Sequence, residues 1–443
     1  MSRRNKRKLP LEPIEVAITS LSHDGRGVAE IDGKKVFVHG ALPGERVRAR
    51  LLASLRRYDE AEAVEVLQAS PRRVQARCAH FGVCGGCVLQ HLDPRAQIEA
   101  KQDTLLQNLE RIGKVSPLHI LEPLTGPQWN YRRKARLSVR YVVKKERLLI
   151  GFRERQGRFV AEMSECHVLD QRVARLLPQL VALANSLDAR DRLPQIEVAC
   201  GDRQCALVMR HMDPLSQPDV AALTAFAREN SVAVLLQPGG PDTVHTLEPR
   251  ELTLDFALPE YGLVLEFGPS DFIQVNADLN RKMIHHALEL MQPEPSDSIL
   301  DLYCGLGNFT LPLARRAGRV TGVEGDAKLV EKARANAARN GIENAAFHVA
   351  DLAADVAGAA WLKQGYDKIL IDPPRSGAEE ILSHLAATTA HRLVYVSCHP
   401  ASLARDAGIL LQQHGFSLQA AGVMDMFPHT AHVESIAWFE RKK

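Results

Sequence analysis

"SDSILDLYCGLGNFTLPLA", residues 296–314, passes from a short apolar run through a glycine loop into a second apolar stretch. A run of this length, bounded by turn residues and followed by helical spacing, reads as strand, loop, helix, with the strand buried on both faces. The loop holds Gly305 and Gly307, and Thr310 stands where a dinucleotide fingerprint would place its third glycine. A lone G-x-G carries little weight. The chain downstream of it decides the reading.

There the same texture repeats. "RVTGVEGD" ends a second apolar run with Glu324, 23 residues after Asp301, which ends the first. "AAFHVAD" ends in Asp351, "YDKILIDPPRSG" carries Asp372-Pro373-Pro374, and "RLVYVSCHPASLARD" ends its run at Ser397-Cys398-His399-Pro400. Strand–helix alternation from about residue 270 predicts an α/β, Rossmann-like doubly wound parallel sheet over 268–443. Ligands bind such sheets outside the carboxyl ends of the strands, where these polar residues cluster. Glu324 is placed to accept from ribose hydroxyls, and Asp351 suits the exocyclic amine of adenine. No pyrophosphate pattern is complete, so a nucleoside without phosphates fits best, and S-adenosylmethionine (SAM) is such a ligand.

Cys398 lies beyond its apolar run and before a helix, whose N-terminus is expected to lower the thiol pKa. A methyl donor beside a nucleophilic cysteine points to pyrimidine C5 methylation. Thiolate addition at C6 makes C5 nucleophilic, and a base must then remove the C5 proton. "MFPHTAHVESIAWF" offers His429, His432 and Glu434 as candidates.

Ahead of this domain the charge changes. Residues 1–160 hold 31 Lys/Arg against 17 Asp/Glu, whereas the rest holds 25 against 36. A basic front end suggests a polyanionic partner, nucleic acid above all. No apolar run is long enough to span a bilayer and no secretory leader is visible, so a cytoplasmic protein without membrane contact is expected. Residues 1–10 read as a basic tail. Residues 11–69 alternate apolar and polar positions between glycine turns, with Asp32-Gly33 as a hairpin signal, and predict a small OB-like β-barrel. A central α/β domain is expected over 70–267, part of 95–125 packing on the catalytic domain. Its run "YRRKARLSVR", 131–140, reads as a phosphate-contacting strand.

Eight cysteines in 443 residues do not suggest a disulfide scaffold, so the thiols should be buried, catalytic or metal-bound. "CAHFGVCGGC" sets Cys78, Cys84 and Cys87 at a spacing that needs a fourth ligand, Cys166, Cys200 and Cys205 being the thiols left outside the catalytic domain. Thiolate ligands without histidine suit a [4Fe-4S] cube, and four would also satisfy zinc.

The segments "FIQVN", "DLYCGLGNFTLPLA", "IDPPRSG", "YVSCHPASLARD" and "FPHTAHVE" resemble the RNA uracil-5-methyltransferase family of class I, SAM-dependent enzymes. The resemblance implies Cys398 as nucleophile and Glu434 as base, with SAM contacts at Gln274, Tyr303, Asn308, Glu324, Asp351 and Asp372. It implies Cys166 as the fourth ligand of a structural [4Fe-4S] cluster with Cys78, Cys84 and Cys87. This chain departs from the family pattern at His399, where Asn is usual, and at Tyr303 and Asp351, where relatives carry Phe or Asn. The barrel resembles a TRAM domain. Barrel and cluster together imply the branch acting on a uridine in domain IV of 23S ribosomal RNA, as a monomer needing no protein partner. The alternatives are a uracil-5-methyltransferase for tRNA or another ribosomal site, or a non-catalytic iron–sulfur RNA-binding protein.

Overall fold

The computed structural model describes residues 12–248, 251–385 and 388–441, so the basic tail lies outside the described residues. The chain divides into two compact units. The first comprises 12–101, 154–157 and 427–432, and the second the remainder.

In the first unit, six strands form one sheet in the order Ile14–Ala17, Arg46–Ser54, Tyr58–Gln68, Lys34–His39, Gly27–Ile31, Ser20–Leu21. All neighbours are antiparallel except Lys34–His39 and Tyr58–Gln68, which run parallel. Alternate residues point inward, and Val16, Ala29, Val36, Val38, Val47, Ala49 and Ala61 make one buried cluster. At the predicted hairpin, Asp32 and Gly33 both take positive φ, 48° and 77°, as a two-residue turn matched to strand twist requires. Residues 78–84 form successive tight turns, with Phe81 N–H donating to the Cys78 carbonyl and Cys84 N–H to that of His80. His429 belongs to this unit. Its backbone N–H donates to Gln97 Oε1 at 2.9 Å, and its carbonyl accepts from Val88 and Leu89.

The second unit contains two large sheets and a hairpin. The smaller is ordered His245–Thr246, Ala233–Gln237, Cys205–Arg210, Gln195–Cys200, Lys134–Val142, Arg147–Gly151. Cys200 and Cys205 face each other across its central antiparallel pair and form a disulfide, which corrects the expectation of unpaired thiols throughout. The pairing register, invisible in composition, brings them together. The 131–140 run also departs in part from expectation: of its cations Arg133 is buried, Arg132 and Lys134 are half-buried, and Arg136 and Arg140 are exposed. Strand alternation, not charge density, decides which cations can meet a phosphate.

The larger sheet has the order Ala345–Val349, Arg319–Glu324, Ser298–Leu302, Lys368–Ile371, Arg392–Ser397, Glu434–Glu440, Ser417–Met424, His119–Ile120. Its first five strands are parallel, and Glu434–Glu440 is antiparallel to both its neighbours. Ile299, Leu300, Ile369, Leu370, Leu393, Val394 and Val396 are fully buried, which accounts for the unbroken apolar runs. The 95–125 stretch reaches this sheet in two places. His119–Ile120 pairs with Ser417–Met424, and Gly113 lies so close to the helix Pro400–His414 that a Cβ there would stand 2.3 Å from the Ala404 carbonyl oxygen. Among the described residues, no helix is long and apolar enough to cross a membrane.

Candidate active site

Strand order in the larger sheet reverses at Ser298–Leu302, which has Arg319–Glu324 on one side and Lys368–Ile371 on the other. The chain leaves each of these strands at the same edge, and the polar residues singled out in the sequence collect there. Tyr303 turns the chain with φ +64°, a left-handed conformation unusual for a bulky side chain, and its N–H donates to the Val323 carbonyl at 2.8 Å. Glu324 braces the glycine loop, accepting from Gly305 N–H at 3.1 Å through one oxygen and from Asp326 N–H at 3.0 Å through the other. Asn308 is largely spent on a reciprocal amide pair with Asn280, at 2.9 and 3.0 Å. Asp351 is exposed and accepts from Ala353 N–H.

Asp301 has no exposed surface, and Oδ2 accepts from Thr310 Oγ1 at 2.5 Å while Oδ1 has no partner among the described residues. Burial pushes its pKa up to about 7, helped by Asp372 and Glu324 nearby. Asp372 is likewise raised by burial to about 7. Asp301 was visible in the sequence as a strand-ending carboxylate, but nothing there shows that one oxygen is left unspent.

Cys398 and Glu434, the expected nucleophile and base, come from adjacent strands. Ser397 faces Ser435 in the antiparallel register, and Ser435 Oγ donates to the Ser397 carbonyl at 3.1 Å. The next residue outward on each strand is Cys398 on one and Glu434 on the other, the latter buried at 3% exposure. The expected lowering of the Cys398 pKa is not what folding produces. Burial raises it to about 11, Glu434 and Asp372 add to the rise, and Arg375 opposes it. The helix N-terminus is present, but desolvation and carboxylates brought in by the fold outweigh it.

Behind the thiol the scaffold is fixed by buried polar contacts. His399 caps the helix Pro400–His414: Nδ1 accepts from Ser402 N–H at 3.3 Å and lies 2.8 Å from Ser402 Oγ. An asparagine at this position can make the same cap. Ser402 Oγ also donates to the Arg375 carbonyl at 2.8 Å. The fully buried Asp406 accepts from Tyr395 Oη at 2.5 Å and Ala378 N–H at 2.7 Å, tying the loop after Asp372 to this helix. Sequence reading missed Arg375, Ser402 and Asp406 because none stands at a strand end.

Of the cysteines expected to hold a cluster, Cys84 and Cys166 are buried and Cys78 and Cys87 half-buried. Gly86 N–H points at Cys84 Sγ at 3.4 Å, a contact that suits a thiolate ligand. The four are all thiols, a donor set fit for iron–sulfur or zinc. Asp170, Cys200 and Cys205 also bring possible ligand atoms within 4.8 Å of one another. There the two sulfurs are bonded to each other and Asp170 is engaged by Arg172.

The sheet order, the glycine loop and the polar edge define a class I methyltransferase fold. Residues 93–442 match the tRNA (Uracil-5-)-methyltransferase family and residues 9–64 the TRAM domain, and the chain belongs to that methyltransferase family. It is 57% identical over 442 residues to the 23S rRNA (uracil(1939)-C(5))-methyltransferase RlmD of Xanthomonas oryzae pv. oryzae (strain MAFF 311018), covering 99% of this chain and 100% of the relative. The protein of that name from Alkalilimnicola ehrlichii is 54% identical over 440 residues, covering 99% of each chain. Among solved structures, the tRNA (uracil-54, C5)-methyltransferase of Pyrococcus abyssi in complex with S-adenosyl-L-homocysteine superposes with a TM-score of 0.73, at 23% identity over 96% of this chain and 99% of that one. At that identity the likeness speaks for the fold alone.

Proposed function

We propose that this enzyme forms 5-methyluridine in 23S ribosomal RNA, with Cys398 as nucleophile and Glu434 as base. The observation that carries the chemistry is the strand register that sets Cys398 beside Glu434. The Cys398 thiol gives up its proton to solvent and its sulfur bonds to uracil C6, the C5–C6 π electrons moving toward O4. When bound, SAM would supply a sulfonium-borne methyl group to C5, the electron pair of the broken S–CH3 bond staying on its sulfur. Glu434 then removes the C5 proton, the C5–C6 double bond re-forms, and the C6–S bond breaks to return the thiolate. Arg375 is the cation that favours the charged sulfur. A target uridine within structured RNA must leave its stack to reach the thiol.

The cofactor would be held at the strand ends by Gln274, Tyr303, Asn308, Glu324, Asp351 and Asp372, Glu324 also bracing the loop beneath it. Cys78, Cys84, Cys87 and Cys166 would hold a [4Fe-4S] cluster in a structural role, since no step above consumes an electron. The ribosomal substrate is favoured over tRNA by the full-length similarity to relatives named for 23S rRNA.

Each part of this reading has its own test. Glu434→Gln should methylate C5 and stall before elimination, leaving a protein–RNA adduct that survives denaturing gels, and turnover at the wild-type rate would sink Glu434 as base. Cys398→Ala should form no adduct and no product while binding S-adenosylhomocysteine within about twofold of wild type. A domain IV fragment of 23S RNA should be methylated and tRNA should not; a preference for the tRNA T-loop would overturn the substrate while leaving the chemistry. Anaerobically purified protein should carry about four irons per chain, and stoichiometric zinc in fully active protein would replace that assignment.

A further inference from the structure

In the stretch 131–140 every second residue is buried: Tyr131, Arg133, Ala135, Leu137 and Val139. Four of the five make an ordinary inward face. Arg133 does not, at 4% exposure. Its guanidinium lies over the Phe256 ring, 4.5 Å from the centroid, and Nε donates to the Gln274 carbonyl at 2.8 Å. Nη1 and Nη2 have no partner among the described residues, and burial lowers its pKa only to about 10, so it is a cation at neutral pH. Its backbone N–H donates to the Val275 carbonyl at 2.9 Å.

Lys134 works on the same segment from the next position. Nζ donates to the carbonyls of Pro269 at 2.7 Å and Asp271 at 2.5 Å. The carbonyls of 269, 271, 274 and 275 are thus all claimed by two adjacent residues, Arg133 and Lys134, where the strand Lys134–Val142 begins. Beyond them, Asn276 caps the helix Ala277–Met291, and Asn280 of that helix pairs with Asn308 of the glycine loop. A buried guanidinium with two unsatisfied nitrogens is a costly way to fill space beside Phe256. What it supplies that an apolar side chain cannot is a donor to a backbone carbonyl.

We propose that Arg133 and Lys134 are positioning residues: they fix the 269–275 backbone so that the Gln274 side chain is presented to the cofactor already ordered. The proposal rests on Gln274 as a SAM contact. Fixing the segment during folding removes an ordering cost from binding, so the effect belongs to cofactor affinity and not to RNA affinity.

The test uses full-length protein and measures SAM and the domain IV RNA fragment in separate equilibrium titrations, with thermal unfolding alongside. Arg133→Met keeps length and packing on Phe256 but has no donor, Arg133→Lys keeps one, and Gln274→Ala removes the presented side chain. Arg133→Met and Gln274→Ala should each weaken SAM about tenfold, the scale of one hydrogen bond to a charged group. RNA affinity should stay within about twofold and unfolding should remain cooperative, and Arg133→Lys should recover most of the lost SAM affinity. If Gln274→Ala weakens SAM while Arg133→Met binds it normally, the positioning role is wrong and Gln274 stands. If Gln274→Ala itself binds SAM normally, both fall together. Parallel loss of SAM and RNA affinity with a broadened melt in Arg133→Met would make the residue merely structural and overturn the proposal. Should Arg133→Met not fold, Lys134→Met must show the selective loss of SAM affinity, and an unchanged affinity there counts against the proposal.

Discussion

On the barrel, Arg46, Arg48 and Arg50 alternate outward from one strand and meet Glu15, Glu65 and Glu62 on its neighbours, each pair in good part exposed to water. At the polar edge of the catalytic sheet, Asp301 and Glu434 are buried, and an oxygen of Asp301 has no partner among the described residues. Charges paired in water are cheap to hold and cheap to lose. Buried polar groups left partly unspent cost stability and persist where a ligand or a reaction needs them. The contrast also revises the reading of the basic front end. Residues 12–68 hold 8 Lys/Arg against 10 Asp/Glu, so the barrel itself carries no basic surplus. The surplus sits in the first eight residues and in the stretch after the barrel.

The contrast can be tested from its strongest end downward. The largest effect should be on the thiol. With a pKa near 11, Cys398 should alkylate about tenfold faster for each pH unit between 7 and 10, measured as the difference from Cys398→Ala. Removing the carboxylate charge in Glu434→Gln should move that rise to lower pH, because Glu434 helps hold the pKa up. An unmoved or upward-shifted profile would break the link between the two residues. Next is Asp301, whose pKa of about 7 when folded exceeds its ordinary 3.8. The folded state then holds a proton that the unfolded chain releases, so this group lowers stability as pH rises from about 4 to 7, and no further above that. Asp301→Asn should therefore gain unfolding free energy relative to wild type at pH 8 compared with pH 5, by denaturant titration.

Smaller effects are expected at the helix start and on the barrel. His399→Ala should cost about 1 kcal/mol through the lost cap, and His399→Asn should restore it. Arg48→Ala should change stability by less than about 0.5 kcal/mol. A larger loss would mean that the barrel ladder is not the solvated pairing that its exposure indicates.

The catalytic sheet was legible in sequence because each strand is buried on both faces and therefore appears as an unbroken apolar run ending in a polar residue. The barrel was legible from its alternation and its Asp32-Gly33 turn. The Cys398–Glu434 pair was legible only as two candidates, since its assembly depends on the register of strands separated by a helix and another strand. The thiol pKa was misread for a related reason: the helix comes directly after Cys398 in sequence, whereas Glu434 and Asp372 arrive through folding. The inward turn of Arg133 was available in the phase of alternation, odd positions falling with Leu137 and Val139, but the density of positive charge obscured it.

Glu434–Glu440, which follows every other strand of this sheet in the chain, lies between Arg392–Ser397 and Ser417–Met424 and is not at its rim. During vectorial synthesis the parallel strands and the glycine loop emerge well before the strand that must slot between these two. Until it arrives, Cys398 lacks the Glu434 carboxylate beside it, and two strand edges stand open to association. The enzyme thus carries an order of assembly in its topology: the Cys398 thiol meets Glu434 only after the chain has committed to closing the sheet.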